Sequence, residues 1–461
     1  MMHPLIILAI GILVVLSMII VLRINAFLAL ITAAIVVSLL APGDLAEKIS
    51  RVAEAFGSTA GKIGVVIALA AVIGRCLIDS GAADRIVRTF VSLLGEKRCP
   101  VALMGSGFVL SIPVFFDTVF YLLLPLARSM HRQTKKSYLL LILAMGAGAS
   151  ITHSLVPPTP GPLIIAETLG IDLGMMINIG LLTAIPTAIV MLFFIKWLTK
   201  RIDIPMRPLQ RVQAEPEPLP DEQLPGLLPS IAPIILPVLL ISAHTVVSTL
   251  AKDAEPASGL RRLEGFTAVA GNANLAMLIS TAIAIIVLYR QRRPSQAELA
   301  EIVESSLMSA GVIILITSGG GAFGAMLKEA QIGPAIQNML ISDGSQQVGG
   351  LKLLLLGYFI AFLIKFAQGS STVSMITTSA MLAALISSKE AIGYHPVYLA
   401  TAIGFGAQCG NWMNDSGFWI FAKMSGLTEV ETLKTWTVTV STLAFVGLFF
   451  SILFAKILPL V

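Results

Sequence analysis

Charged residues are scarce in this 461-residue chain, in which Asp, Glu, Lys and Arg together make up 12% of the sequence. That share is about half of what is usual in soluble domains. Hydrophobic residues account for 56%, and the mean hydropathy is +0.89. Apolar runs of about 17 to 25 residues, long enough to cross a bilayer, recur along almost the whole length. This composition excludes a string of soluble domains and predicts an all-α polytopic membrane protein.

Cysteines and catalytic sequence motifs are also scarce. Cys76, Cys99 and Cys409 lie far apart, so they predict neither a disulfide framework nor a zinc site. The sequence contains no phosphate-binding P-loop, His-Glu-x-x-His or Gly-x-Ser-x-Gly motif, which argues against an ATP-driven pump and common hydrolases. We therefore expect no cofactor and no metal. The net charge of +5 does not indicate a nucleic-acid partner, because basic residues of membrane proteins collect in cytoplasmic loops.

Two stretches interrupt apolar spans with polar residues and helix breakers. The first, residues 145–162 (MGAGASITHSLVPPTPGP), has four prolines between positions 157 and 162. Proline lacks an N–H donor and clashes with the preceding turn of a helix, so one continuous helix cannot span this stretch. The second, residues 403–419 (IGFGAQCGNWMNDSGFW), lies about 258 positions later. An opened helix at membrane depth must be buried or line a wet cavity, and two matched breaks predict a transport site.

The two halves of the chain share one order of predicted elements. Each has two helices, an amphipathic segment, a helix, a re-entrant hairpin, a broken helix and a final helix. We predict the amphipathic segments to be separate from the helices that follow them. The predicted ranges are 44–56 and 295–308 for the amphipathic segments, about 98–130 and 350–385 for the hairpins, and about 138–170 and 396–422 for the broken helices.

Residue identities and charges support a repeat. Identities recur at an offset of 250, as in Gly61 and Gly311, and of 258 at the breaks, as in Gly148 and Gly406. Five crossings per half is an odd number, so the second half must be inverted relative to the first. Most of the 31 Lys and Arg residues then fall in the predicted cytoplasmic loops, with both termini periplasmic. The predicted domains are a first inverted repeat at 1–199, a cytoplasmic linker at 200–226 and a second inverted repeat at 227–461.

Each half brings a hairpin tip and a helix break to the middle of the membrane, and the N-terminus of a half-helix follows each interruption. Such an end carries unpaired N–H groups and about half a positive charge, so four converging ends predict an anion site. The hydroxyl and amide groups nearby suit a polyhydroxylated or amino-acid-like solute, although these groups can also serve helix packing alone. The candidate substrate-binding residues are Ser111, Thr118, Thr152, Ser154, Thr159, Gly369, Ser370, Ser371, Thr372, Asn411, Asn414 and Ser416.

Five ionisable residues are predicted at membrane depth, where charge is costly and is by default a sign of function. Asp117 and Asp415 can each carry a proton or cap the N–H groups of a helix. His153 can relay a proton, donate to an anion or serve as a hydrogen-bonded interior residue. Lys365 can pair with a substrate carboxylate or with an acid, and Arg75 can extend to the membrane surface. The candidates for proton coupling are thus Asp117, His153 and Asp415, and His153 and Lys365 join the candidate substrate-binding residues.

Three function classes fit these features. A passive channel is one, but paired inverted hairpins favour a secondary transporter that works by alternating access. An intramembrane enzyme is another, with Asp117 and Asp415 as a carboxylate pair. That enzyme needs the two acids within hydrogen-bond reach, sharing one proton. The leading hypothesis is a symporter for a small hydroxylated carboxylate.

Four stretches of the sequence are SIPVFFDTVFYLLLPLAR (111–128), GASITHSLVPPTPGP (148–162), KFAQGSSTVSMITTSAM (365–381) and GFGAQCGNWMNDSGFWIF (404–421). At these residues, and along nearly its whole length, the chain resembles the gluconate:proton symporter (gluconate permease) family of the ion transporter superfamily. The resemblance implies a permease of the bacterial inner membrane that imports gluconate or a related sugar acid, or D-serine in some members, with protons.

The same resemblance implies a homodimer with a scaffold and a moving, elevator-type transport domain. The transport domain is built from the hairpins and broken helices. The four stretches do not separate gluconate from the other substrates of the family. They leave sodium open as the coupling ion in place of protons.

Overall fold

The protein is all-helical throughout the residues that the computed structural model describes, which are 3–207, 220–251, 259–331, 350–383, 392–413 and 415–460. Residues 208–219 of the predicted linker, the end of the second predicted hairpin and Asn414 lie outside these residues. The helices of the first half are α1 (Pro4–Leu16), α2 (Ala26–Leu40), α3 (Glu47–Asp79), α4 (Ala82–Leu94), α5 (Cys99–Leu110), α6 (Phe116–Thr134), α7 (Tyr138–Leu155), α8 (Pro160–Thr168) and α9 (Leu173–Thr199).

The second half has a similar order of elements where the structure describes it, with one additional helix, α11, before the helix that corresponds to α2. Its helices are α10 (Leu227–Ala251), α11 (Gly259–Ala270), α12 (Ala273–Arg292), α13 (Gln296–Glu329), α14 (Leu351–Gln368), α15 (Ser371–Ala383), α16 (Val397–Gly406), α17 (Ser416–Ser425) and α18 (Glu429–Ile457).

The two amphipathic segments are not separate elements, which corrects the prediction made from the sequence. Each runs without a break into the helix after it, so α3 has 33 residues and α13 has 34. At 1.5 Å per residue each helix is about 50 Å long. Gly57 and Gly61 mark the predicted boundary in α3 but cost the helix only about 1 kcal/mol each, too little to end it.

Two further helices lie where the sequence predicted loops. In α4 the residues Ala82, Ala83, Ile86 and Val87 are buried, and this spacing of three to four residues forms an apolar stripe along one side of a helix. Helix α11 has no buried residue. Helix α4 was not predicted because basic residues separate its apolar positions. The helical spacing of those positions is recognised only when they are considered without the basic residues.

Long helices from the two halves pack against each other. Helix α3 packs against α13, α13 also packs against α2, and α3 packs against α12. The contact of α13 with α2 corresponds to that of α3 with α12, because α2 and α12 each precede the long helix of their own half. Near the crossing, a Cβ added at Gly64 would lie 3.5 Å from Cγ2 of Ile314. Helix α8 of the first broken helix lies against both α3 and α13, and α15 of the second hairpin lies against α13.

In each half a glycine lets the broken helix approach the hairpin. A Cβ added at Gly148 of α7 would collide with the carbonyl oxygen of Met104 in α5, and one added at Gly406 of α16 would collide with that of Tyr358 in α14. The same two positions are related by the offset of 258 in the sequence. Because backbone atoms cannot rotate away, these contacts fix each broken helix against its hairpin.

Gly148→Ala is therefore expected to destabilise the protein. Overpacking typically costs about 1–3 kcal/mol, and a clash with backbone belongs at the upper end. A thermal melt in detergent, followed by tryptophan fluorescence, measures the effect. Gly265→Ala in α11 is the matched control, because an added Cβ there meets nothing within 4 Å. Equal melting temperatures for the two variants would contradict the close approach.

Candidate functional site

The two helix breaks and the two hairpin tips surround one cavity of about 620 Å³. Helix α7 ends at Leu155 and α8 begins at Pro160, whereas α16 ends at Gly406 and α17 begins at Ser416. The hairpin tips lie between α5 and α6 and between α14 and α15. The cavity is lined by Phe115, Phe116, Asp117, Thr118, Ser150, His153, Pro160, Ser309, Ile313, Ile316, residues 369–373, Gln408, Asn411, Asp415, Ser416, Gly417 and Trp436.

Four helix N-termini reach this cavity, because the first turns of α6, α8, α15 and α17 all contribute to its lining. The N-termini of α6 and α8 have no side-chain cap. In α8 the prolines at 160 and 162 carry no N–H, so Gly161 is the first residue with a donor. The N–H groups and helix dipoles of these ends make the cavity favourable for an anion.

A buried ion pair lies behind the second hairpin tip. The Nζ of Lys365 contacts Oδ2 of Asp415 and donates to the carbonyl oxygen of Gly369 at 2.6 Å. Oδ1 of Asp415 accepts the N–H of Gly417 at 2.5 Å and so caps α17. The Lys365 side chain is fully buried and does not belong to the cavity lining. The pair therefore ties the tip of the hairpin to the second helix break.

Asp117 lies in the first turn of α6 and lines the cavity. Within the described ranges its carboxylate makes no hydrogen bond and no ion pair, although Lys365 is close enough to act on it electrostatically. The two acids therefore have different surroundings. Asp415 is committed to a lysine and a helix N-terminus, whereas Asp117 lines the cavity with no partner among the described residues.

A polar network joins the two broken helices across the cavity. The hydroxyl of Ser150 donates to Oε1 of Gln408 at 2.7 Å, and Nε2 of Gln408 contacts the hydroxyl of Ser154. His153, between these serines, lines the cavity, and its buried Nδ1 has no partner among the described residues. The His153 ring lies edge-on to Phe115, with ring centroids 6.1 Å apart.

Several candidate residues serve the backbone instead of the cavity. Thr152 donates to the carbonyl oxygen of Phe108 at 2.8 Å and Thr159 to that of Val156 at 2.8 Å. Ser111 donates to the carbonyl oxygen of Val114 at 3.3 Å. The predicted residues that line the cavity are Asp117, Thr118, His153, Gly369, Ser370, Ser371, Thr372, Asn411, Asp415 and Ser416, and those that do not are Ser111, Thr152, Ser154, Thr159 and Lys365.

Eleven of the lining residues were not predicted from the sequence, among them Trp436, Ser309 and Gln408. Trp436 stacks on Phe421 at 4.5 Å and on Phe116 at 5.5 Å between ring centroids, and its Nε1 donates to Oδ1 of Asn411 at 3.2 Å. Ser309 enters from α13. Gln408 could have been predicted from the sequence, because the offset of 258 that pairs Gly148 with Gly406 also pairs Ser150 with Gln408.

Seven helices in the described parts of the chain are long and apolar enough to cross a membrane. Together with helices that break around a polar cavity, they define a multi-pass membrane transporter for small polar solutes. The family model described as GntP family permease matches residues 3–457. The chain belongs to this family of bacterial membrane permeases, and it is not an enzyme.

The chain is similar along its length to individual transporters. It is 31% identical to the Gnt-II system L-idonate transporter of Escherichia coli, covering 96% of this chain and 97% of that one. It is 29% identical to the gluconate permease of Bacillus subtilis, covering 98% and 100%. MtrF of Neisseria gonorrhoeae shares the fold, with a TM-score of 0.66, 16% identity and 94% of both chains covered.

Proposed function

We propose that this permease imports gluconate or a related small hydroxy-carboxylate together with protons, by alternating access, across the bacterial inner membrane. The observation that carries the proposal is one cavity that holds four helix N-termini and an acid, Asp117, with no partner among the described residues. The relatives named for gluconate and for L-idonate both act on six-carbon polyhydroxy acids. Such a solute needs a site for one negative charge and for several hydroxyl groups, and the cavity offers both.

The N-termini of the half-helices bind the carboxylate in this proposal, because N–H groups favour an anion without a paired lysine or arginine. In this proposal the substrate hydroxyls bond to side chains that line the cavity, which are the hydroxyl groups of Ser370 and Thr118 and the amides of Asn411 and Gln408. His153 lies beside them in the cavity wall, and its buried Nδ1 has no partner among the described residues. Lys365 contributes indirectly, by holding the hairpin tip against α17.

Asp117 couples the proton in this proposal. If it is charged, it repels a carboxylate in the same cavity by about 4 kcal/mol at 4 Å and an effective dielectric constant of 20. Protonation removes that repulsion and adds an O–H donor for the substrate. Binding of the proton therefore favours binding of the anion, and the reverse follows by linkage. A monocarboxylate that moves with one proton crosses without net charge.

The architecture follows from the shared order of elements. We propose that the two halves form an inverted repeat and that the hairpins are re-entrant, with α3 and α13 in the scaffold and the hairpins and broken helices in the transport domain. Helix α15 packs along α13, where an added Cβ on Gly324 would lie 3.0 Å from Cβ of Ala380. The first hairpin meets α3 near its end, where an added Cβ on Gly74 would lie 3.4 Å from Cγ2 of Val114.

The distribution of charge sets the proposed orientation of the protein in the membrane. The first hairpin lies near the end of α3 that precedes the basic helix α4, the side that the distribution of charge assigns to the cytoplasm. Both termini are then periplasmic. We also propose a homodimer, held together by scaffold helices.

The competing functions differ in what they require of the site. Import of D-serine requires an acceptor for the ammonium group of the substrate. Asp117 can be that acceptor only when its carboxyl group is ionised. Sodium coupling replaces the proton but keeps the anion site. An aspartyl enzyme needs Asp117 and Asp415 to share a proton, whereas Asp415 pairs with Lys365 and caps α17.

A panel of solutes tested by thermal shift on the purified protein separates these substrates. Gluconate and L-idonate are expected to raise the melting temperature at millimolar concentration, because a ligand that binds only the folded state stabilises it. Sorbitol, which has the hydroxyl groups but no carboxylate, is the matched control and should have no effect. A shift with D-serine alone, or with sorbitol as large as with gluconate, would refute the proposed substrate class.

A further inference from the structure

A second polar crevice adjoins the cavity on the side of the first hairpin. It has a volume of about 220 Å³ and is lined by parts of α3, α13 and the first hairpin tip. Phe115, Thr118 and Ser309 line both the crevice and the cavity. The two spaces are therefore neighbours that share one wall, and a solute leaving the cavity past the hairpin tip meets the crevice next.

Arg75 is the cation of this crevice. Its Nε donates to Oδ2 of Asp79 at 2.7 Å, one helical turn further along α3. The Arg75 side chain is 52% exposed, whereas that of Asp79 is 14% exposed. Within the described residues the two terminal amino groups of Arg75 make no hydrogen bond. Asp79 thus fixes the guanidinium by one edge and leaves the edge that suits a carboxylate available.

Serine hydroxyls face the same crevice from α13. Ser305 and Ser309 each donate a hydrogen bond within their own helix, to Ile302 and Ser305 respectively. Their oxygens therefore remain available as acceptors for hydroxyl groups of a ligand. The crevice thus offers an arginine for a carboxylate and serine oxygens that can accept hydrogen bonds from hydroxyl groups. This combination suits a hydroxy acid better than an inorganic anion.

We propose that Arg75, with Ser305 and Ser309, forms a second, transient binding site for the hydroxy-carboxylate, on the path between the cavity and the cytoplasm. This inference rests on the proposed function, since it takes the same substrate class. Asp79 neutralises part of the charge of Arg75 and so lowers the affinity of the second site. The anion therefore binds there weakly and dissociates readily. The sequence alone favoured a simpler role, in which Arg75 extends to the membrane surface.

The test compares Arg75→Gln, Arg75→Lys and Asp79→Asn in proteoliposomes. Exchange of labelled gluconate is measured at low and high ionic strength, and the affinity of the cavity is measured by calorimetry. Arg75→Gln should reduce kcat/KM for exchange about tenfold at low salt, since a steering charge typically speeds association by tenfold or more. It should also weaken the salt dependence, because less attraction remains to be screened. The calorimetric Kd should stay within about twofold of the wild-type value.

The other two variants distinguish attraction of the anion from a structural role of the ion pair. Arg75→Lys keeps the positive charge and should keep most of the exchange rate, and Asp79→Asn frees the arginine and should leave the rate unchanged or higher. Equal losses in Arg75→Gln and Asp79→Asn, or wild-type exchange in Arg75→Gln, would overturn the second site. Failure of the wild type to bind gluconate would instead overturn the proposed function, and the second site with it.

Discussion

Asp117→Asn is expected to abolish gradient-driven accumulation of gluconate while leaving exchange across the membrane intact. Asparagine has nearly the same size as the acid and keeps a donor for the substrate, but it cannot release a proton. Asp117 lines the cavity without a partner among the described residues, so its loss leaves no unpaired charge behind. A pH difference of one unit supplies about 1.4 kcal/mol per proton, which is about tenfold accumulation, and the variant should show none.

Uptake into proteoliposomes with an imposed pH difference measures accumulation, and counterflow without a gradient measures exchange. Asp84→Asn, a partly buried acid of α4 that lies outside the cavity lining, is the matched control and should accumulate gluconate normally. Normal accumulation by Asp117→Asn would exclude Asp117 as the proton carrier and leave His153 as the cavity residue to test next.

Lys365→Met is expected to destabilise the protein strongly, because it leaves Asp415 buried without its counter-charge. Removing one partner of a buried ion pair typically costs about 3–5 kcal/mol. The double variant Lys365→Met/Asp415→Asn removes both charges and should recover most of this loss. Thermal melts of the two single variants and the double variant give the coupling energy between the residues.

The sequence alone suggested that Lys365→Met acts mainly by raising KM. The structure changes that expectation, since Lys365 contacts Asp415 and the Gly369 carbonyl and lies behind the cavity lining. We expect the stable double variant to bind gluconate, with an affinity lowered only through the altered hairpin tip. Wild-type stability in Lys365→Met, or a double variant less stable than both single variants, would contradict the buried pair.

The breaks could be predicted because their causes are local. The prolines between positions 157 and 162 stop a helix in any context, and a polar run such as Gly410 to Asp415 is expensive in an apolar span. Composition and hydropathy predicted the all-helical membrane class for the same reason. The two long helices were divided wrongly. In α3, Gly57 and Gly61 cost the helix only about 1 kcal/mol each, and α3 also packs against α13.

The partners inside the site depend on tertiary contacts that local sequence does not determine. Lys365 and Asp415 are 50 positions apart and meet only because the second hairpin tip lies against the second break. Thr152 and Thr159 are indistinguishable by residue type from Thr118, yet they bond to backbone carbonyl oxygens whereas Thr118 lines the cavity. Ser309 belongs to a helix that sequence alone placed outside the site.

The central claim is that one cavity binds a hydroxy-carboxylate and a proton together. Labelled gluconate uptake into proteoliposomes of the wild type, with a pH difference of one unit and the membrane potential clamped at zero, tests it most directly. We expect the wild type to accumulate gluconate about tenfold if one proton moves with each substrate. An uncoupler should abolish this accumulation. Equilibration without accumulation, or accumulation driven only by a sodium gradient, would contradict it.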